Sequence, residues 1–201
     1  MSNPLPFAAK SPSTERLRLN RRQTTMESPY SLATQTISTA SEWVLEWTWP
    51  GMRITEAVRV NAWLASLDGT IGTFRYYVRQ PYDTSGLRNH GLAVVGYQYG
   101  RSILVGGWLA NAASQLFAGQ HFTIGEQLLM ITSASSSADA QGRVTITFDP
   151  WLRLDYAIGT AVNFTAPYGI FRLGSSEGHT YTLTPDRVAD FGTIGAREVV
   201  S

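Results

Sequence analysis

Residues 41–52, SEWVLEWTWPGM, contain three of the six tryptophans of the chain. Apolar and polar side chains alternate here with a period of two, and Trp43, Trp47 and Trp49 all fall on the same side of the alternation. A period of two is typical of a β-strand with one buried face. The Pro-Gly pair that follows ends the strand. The stretch therefore predicts a strand whose aromatic face needs a partner surface.

The segment 54–69, ITEAVRVNAWLASLDG, predicts the helix of the chain. Its apolar positions recur at i, i+3, i+4 and i+7, which places them on one helical stripe. These positions are Val60, Trp63, Leu64 and Leu67. We expect a helix over 55–68, with Thr55 as the N-cap and Gly69 as the C-terminal stop.

A second aromatic strand follows the helix, in residues 72–81, GTFRYYVRQP. Phe74 lies on its apolar side. The aromatic strand and the helix each have an apolar face to bury, and packing them together serves both. We therefore expect Trp47 and Trp63 in one core.

The remainder of the chain predicts a second, all-β domain. Residues 82–91 are polar and rich in turn formers, which marks a boundary. Short strands with regular turn signals then fill 90–173, a pattern typical of a small barrel or sandwich. Residues 174–201 offer two weak strands that we expect to return to the first domain, which spans 23–81.

The amino-acid composition limits the classes of function that the chain can have. The 201 residues suffice for one large domain or two small ones. Only 15% of residues are charged and the net charge is +1, so no global attraction to nucleic acid or to an anionic membrane is expected. Cysteine is absent, which excludes disulfides and thiol catalysis. The sequence also contains no stretch apolar enough to span a bilayer, and its start lacks the apolar core of a secretory signal.

Residues 1–22 predict an extended N-terminal arm, since they are polar and basic with several prolines. Two alternatives stay open: a disordered tail, or an arm that becomes ordered on a neighbouring subunit. Its basic residues are Arg16, Arg18, Arg21 and Arg22. They could contact phosphate, but no pattern typical of nucleic-acid binding accompanies them. Pairing with carboxylates across a subunit interface is at least as good an interpretation.

The sequence contains no recognisable catalytic or metal-binding motif. His90, His121 and His179 do not have the spacing of metal ligands. Asp139 lies in a turn sequence and Asp149 at a strand end, and nothing in the pattern places them as an acid–base pair. We expect no catalytic residue, no metal and no cofactor.

Two segments carry a resemblance to a known family. The first is residues 117–173, in which AGQHFTIG, the turn ADAQG, RVTITFDPWLR and APYGIFRL follow one another. The second runs from Trp47 to Pro81 and contains a strand, a Pro-x-Met, a helix with a central Trp, and a glycine-rich turn before Phe74. In this order they resemble distal tail proteins and related minor tail proteins of long-tailed bacteriophages. The family more often has Asp where this chain has Gln120.

The resemblance implies a structural protein of the phage tail tip without enzymatic activity. Such proteins form a ring, usually of six subunits, which joins the tail tube protein to the hub or baseplate and lets DNA pass. The implied fold is all-β with one helix: an N-terminal β-sandwich with the helix, then a small β-barrel, galectin-like or OB-like. The implied location is the virion, after assembly in the host cytoplasm. Partners would be further copies of the chain and other tail-tip proteins, without specific nucleic-acid binding or membrane insertion.

Within this interpretation several residues are candidates for interfaces or structural roles. Trp43 or Trp49 would reach a neighbouring subunit, because aromatic residues are enriched at interfaces. In the barrel, the candidates are Pro150, Trp151 and Arg153, with Trp151 expected to pack into the barrel. The alternative function is a carbohydrate-binding, lectin-like module for host adsorption, in which Trp108 or Trp151 stacks on a sugar ring. A cell-wall-degrading enzyme would need a carboxylate pair or a metal site.

Overall fold

The computed structural model describes residues 3–4, 11–79, 87–92, 100–175 and 180–199. Over these residues the chain forms fifteen strands and one helix. In chain order they are β1 (Asn3–Pro4), β2 (Thr14–Glu27), β3 (Thr34–Thr48), β4 (Met52–Arg53), α1 (Ile54–Ser66), β5 (Thr73–Tyr77), β6 (His90–Leu92), β7 (Ser102–Gly106), β8 (His121–Ile124), β9 (Gln127–Ala134), β10 (Arg143–Asp149), β11 (Ala161–Asn163), β12 (Tyr168–Leu173), β13 (Thr182–Leu183), β14 (Val188–Asp190) and β15 (Thr193–Glu198). The predicted fold class, all-β with one helix and a small barrel, is confirmed.

The chain divides into two compact units. The first comprises residues 1–74 with 171–200, and the second comprises residues 75–170. The predicted boundary at 82–91 lies partly outside the described residues, which resume at residue 87. The C-terminal segment from residue 174 to residue 200 belongs to the same unit as the N-terminal residues.

The first unit contains two sheets and the helix, and strands β5 and β12 extend past its boundaries into the residues of the second unit. A six-stranded sheet has the order β1-β5-β12-β15-β3-β2, and a three-stranded sheet has the order β13-β14-β4. Strand β3 lies between β15 and β2 and is antiparallel to both. Helix α1 contacts β4 and β14. The strand that carries the tryptophans is therefore held on both edges.

The aromatic face of β3 is buried, as the alternation predicts, and it meets β5, which in turn contacts the helix. Trp47 and Phe74 are fully buried, with ring centroids 6.1 Å apart in an edge-to-face contact. Trp63 on the helix is half-buried and meets the same Phe74 at 5.4 Å. Edge-to-face geometry is a preferred arrangement of aromatic pairs. One phenylalanine thus joins the aromatic strand to the helix.

The helix begins and ends within about a turn of its predicted limits, but its N-cap prediction is wrong. Arg53 occupies the N-cap position and forms no side-chain cap, while Thr55 lies inside the first turn. The chain enters the helix directly from β4, so strand pairing with β14 rather than a capping side chain orients this end. At the other end, Gly69 has a φ of +62°, the left-handed conformation that glycine adopts at low cost.

The second unit contains a closed barrel with the strand order β10-β7-β6-β11-β8-β9. Phe122, Phe148 and Phe164 lie at its centre, with Phe122 5.6 Å from Phe148 and 5.5 Å from Phe164. Closure removes exposed sheet edges, which allows strands as short as three residues to persist.

Two buried glutamines of the barrel differ in how their amides are bonded. Gln127 donates to the Trp151 carbonyl (2.6 Å) and accepts from the Arg153 amide (3.0 Å). Gln120 is fully buried, and neither of its amide atoms has a hydrogen-bond partner among the residues that the structure describes. A buried polar group without a partner lowers stability, whereas a bonded one does not.

This contrast predicts opposite effects of the same substitution. We expect Gln120→Met to raise the free energy of unfolding by about 1 kcal/mol, and Gln127→Met to lower it by about 2 kcal/mol. Urea unfolding of the full chain, followed by circular dichroism, measures both. Equal losses in the two variants would show that Gln120 is bonded after all.

His121, at the start of β8, makes the barrel sensitive to pH. Burial lowers its pKa to about 4, so the folded chain keeps this imidazole neutral while the unfolded chain protonates it near pH 6.5. Its contribution is therefore fully present above the unfolded pKa and is lost as the pH falls from about 6.5 towards 4.

We expect His121→Gln to remove about 2 kcal/mol of the stability difference between pH 7.5 and pH 5. The measurement is urea unfolding of both proteins at the two pH values. A variant that loses as much stability as the wild type on acidification would assign the effect to other groups.

Candidate assembly hairpin and barrel cavity

Strands β2 and β3 form one long antiparallel hairpin. They pair from Thr14 opposite Thr48 to Glu27 opposite Thr34, with an irregularity between Arg22 and Gln23. The turn at 28–33 is closed by backbone hydrogen bonds between Ser28 and Ala33 and between Leu32 and Ser28. The two strands are therefore joined by a hydrogen-bonded turn.

The inner and outer halves of this hairpin have different surroundings. From Thr14 to Asn20, half-buried Glu15, Leu17 and Leu19 alternate with exposed residues, as in a strand with one covered face. From Arg21 to Glu27 every residue of β2 is exposed, and residues 34–38 of β3 are exposed as well. At about 3.4 Å per residue, the ribbon runs for about 20 Å with neither face covered. We call residues 21–41 the assembly hairpin.

The tip of the assembly hairpin carries apolar side chains. They are Met26, Tyr30, Leu32 and Ile37, all exposed, and Tyr30 is 98% exposed. A two-stranded hairpin alone is only marginally stable in water. An apolar tip on an exposed ribbon is therefore a candidate contact surface.

The predicted N-terminal arm needs correction. Residues 14–22 are not an arm but the first part of β2, paired with β3 along their length. Arg18 bonds Glu46 of the same chain at 3.0 Å, so its carboxylate partner is internal. The signal that reveals the strand is the alternation of Leu17 and Leu19 with polar residues. The basic cluster hides that alternation, although strand pairing of β2 brings Arg16, Arg18, Arg21 and Arg22 onto one edge strand.

The tryptophan stripe is internal. Trp43 and Trp49 are only 3% and 4% exposed, and Trp49 meets Phe191 at 5.8 Å. Their expected contact with a neighbouring subunit is wrong, because the chain itself already covers both rings. The exposed part of the same strand is its first half, residues 34–38.

The Pro150–Arg153 segment is tied to the barrel by hydrogen bonds. Gln127 bonds the backbone on both sides of Leu152, and Leu152 packs against the barrel core. Pro150 is buried. The expectation that Trp151 packs into the barrel is wrong: its side chain is 58% exposed, with the Arg101 guanidinium 5.3 Å from the ring. Since Leu152 takes the inward position, its neighbour points outward.

The two aspartates act locally. Asp139 accepts hydrogen bonds from the Gln141 and Arg143 amides at 2.8 Å each and pairs with the Arg143 side chain. Slight desolvation opposes them, but these bonds lower the pKa of Asp139. Asp149 is buried, 3.6 Å from Arg101. The turn role predicted for Asp139 is confirmed. His179 lies outside the described residues, and within them no cluster of three potential metal ligands occurs.

A cavity of about 300 Å³ opens in the second unit beside β6 and β7. Its wall includes the stacked pair His90 and Trp108, whose ring centroids are 3.7 Å apart at an angle of 16°. The Trp108 indole N–H donates to the Ser114 carbonyl at 3.2 Å. Burial lowers the pKa of His90, nearby Arg88 acts in the same direction, and a hydrogen bond with the Gly106 backbone opposes both.

Gly107 keeps room for this stacked pair. A Cβ atom on Gly107 would lie 2.7 Å from Nδ1 of His90, and its φ of +114° already disfavours any other residue. Gly159 has a φ of +81°, but a Cβ atom added there would meet nothing within 4 Å. An alanine at either position would strain the backbone, but only an alanine at Gly107 would also crowd the cavity wall.

We expect Gly107→Ala to lower the free energy of unfolding by about 2–3 kcal/mol, and Gly159→Ala by only about 1 kcal/mol. Urea unfolding of both variants checks the difference. Equal effects would mean that His90 moves aside freely and that the stack does not constrain the cavity.

Comparison with known proteins adds no family assignment: no protein-family model matches the chain, and no curated protein matches it. The one helix among the described residues, α1, is too short to cross a membrane.

Proposed function

We propose that this chain is a structural protein of a phage tail tip that assembles with copies of itself into a ring, through the assembly hairpin. The observation that carries the proposal is the uncovered outer half of the β2–β3 ribbon with its apolar tip. The resemblance of residues 47–81 and 117–173 to tail-tip proteins supplies the biological setting. The ring would connect the tail tube protein to the hub and leave a channel for DNA.

Docking on a second copy would explain why the ribbon has a partly covered inner half and an exposed outer half with an apolar tip. The inner half is fixed by the aromatic core, so the outer half leaves the body of the unit in a set direction. Tyr and Met, both present at the tip, are enriched at protein interfaces. Since β2 is the edge strand of its sheet, its free edge can also pair with a neighbouring chain.

A closed ring suits this type of contact. A hairpin that docks on a different surface of the next copy makes a heterologous interface, and repetition of that interface closes a ring when the rotation permits. Several modest contacts then add up, because breaking one subunit out of a ring disrupts two interfaces.

Removing the apolar tip tests the proposal. We expect the variant Met26→Ser, Tyr30→Ser, Leu32→Ser, Ile37→Thr to remain folded but to be monomeric, while the wild type forms rings visible by negative-stain microscopy. Light scattering measures the mass. Leu109→Ser, which removes an equally exposed leucine of the second unit, is the matched control and should assemble normally.

The proposal fails if the wild type stays monomeric at about 0.1 mM, a concentration at which even contacts of about 6 kcal/mol would be populated. It also fails if the tip variant assembles as well as the wild type.

A further inference from the structure

The cavity beside His90 and Trp108 has a wall that is held in place before any ligand arrives. The loop 107–116 is tied to residues 136–142 by backbone hydrogen bonds. Asn111 N–H donates to the Asp139 carbonyl at 3.2 Å, Ser114 N–H to Ser136 at 2.9 Å, and Ala138 N–H to Ala112 at 2.8 Å. A preorganised wall reduces the entropy lost on binding.

Among the described residues that line the cavity, only Arg88 is a lysine, arginine or carboxylate residue. Burial lowers the pKa of His90, which disfavours its charged form. A guanidinium binds a carboxylate through two parallel hydrogen bonds. A single cation matches a ligand with a single negative charge better than a phosphate, which carries nearly two. The charge of the site therefore favours a carboxylate.

The other lining residues could contact a ring-shaped ligand that has both apolar and polar groups. Trp108 and His90 form an aromatic wall, and Leu109 and Leu116 add apolar surface. Gln115, whose backbone lies in the left-handed region with a φ of +58°, adds an exposed amide beside them. Sites for small molecules combine such apolar walls with a few placed polar groups, and about 300 Å³ is at the lower end of their size range.

We propose that this cavity binds a carboxylated sugar, a uronic acid unit, with the carboxylate on Arg88 and the ring against the Trp108–His90 wall. A pyranose ring has apolar C–H faces for the aromatic wall and hydroxyl groups for the Gln115 amide. The binding function goes beyond the assembly role and does not depend on it, because every described residue that lines the cavity lies in the second unit. Exposure of such a site at a tail tip would allow contact with acidic glycans.

Saturation-transfer difference NMR on the full chain with sodium glucuronate tests the inference, and it works whether or not the chain assembles. We expect saturable binding with a Kd of about 1 mM, a typical strength for one small ligand. Methyl glucoside keeps the ring without the carboxylate, and acetate keeps the carboxylate without the ring. Each should bind at least about tenfold more weakly, as expected when one of two recognised groups is missing.

Variants locate the binding. Arg88→Gln removes the cation from an exposed position and should weaken glucuronate binding about tenfold. Arg59→Gln removes an exposed arginine from helix α1 and should leave binding unchanged. Circular dichroism of both variants confirms that they are folded.

Three results would overturn the inference. They are absence of saturation up to about 20 mM glucuronate, well above the expected Kd; equal binding by wild type and Arg88→Gln; and equal binding of glucuronate and either reference compound. Failure here would leave ring assembly untouched, and loss of assembly in the tip variant would leave glucuronate binding untouched.

Discussion

The contact of Phe74 with Trp47 and Trp63 is the interaction on which the first unit depends. Trp47 belongs to β3, Trp63 to α1 and Phe74 to β5, so one buried ring holds three elements together. Phe171 of β12 stacks on the same ring at 6.3 Å. Because aromatic side chains bury large areas and prefer defined angles, this cluster fixes both the position and the orientation of β3.

The aromatic cluster also orients the assembly hairpin, because both contain parts of strand β3. The same strand that buries Trp43 and Trp47 continues, in the other direction, into residues with no cover on either face. Strand β2 pairs with it along its length, with an irregularity between Arg22 and Gln23. The inner half is partly covered, whereas the side chains of the outer half are exposed, and a two-stranded ribbon is only marginally stable in water. The same strand is thus buried at one end and exposed at the other, which is the arrangement that the proposed docking of a second copy requires.

The parts of this structure with strong periodicity could be predicted from the sequence. The alternation in residues 43–49 predicts the buried tryptophan face, and the helical stripe predicts burial of Val60, Leu64 and Leu67. The strand in residues 14–22 could not be recognised so easily, because four arginines hide a weak alternation and long-range pairing with β3 decides the outcome. The orientation of Trp151 depended on Gln127, a residue distant in sequence that bonds the backbone around Leu152. No local pattern reports such a bond.

The cavity wall could also be predicted only in part from the sequence. His90 and Trp108 are eighteen positions apart in the sequence, and the pairing of β6 with β7, which sets Gly91 opposite Gly106, brings them together. Sequence reasoning could name Trp108 as a candidate for contact with a ligand, but it could not supply the neighbouring imidazole, the guanidinium of Arg88 or the glycine that leaves room for the stack.

Hydrogen–deuterium exchange of the wild-type chain at two concentrations would show whether copies of the chain dock through the assembly hairpin. If copies dock through the assembly hairpin, backbone amides of residues 23–38 exchange fast in dilute solution and become protected on assembly, while those of residues 43–48 stay protected throughout. Protection of 23–38 that does not change with concentration, or assembly that protects other segments and leaves the hairpin exchanging freely, would contradict the account.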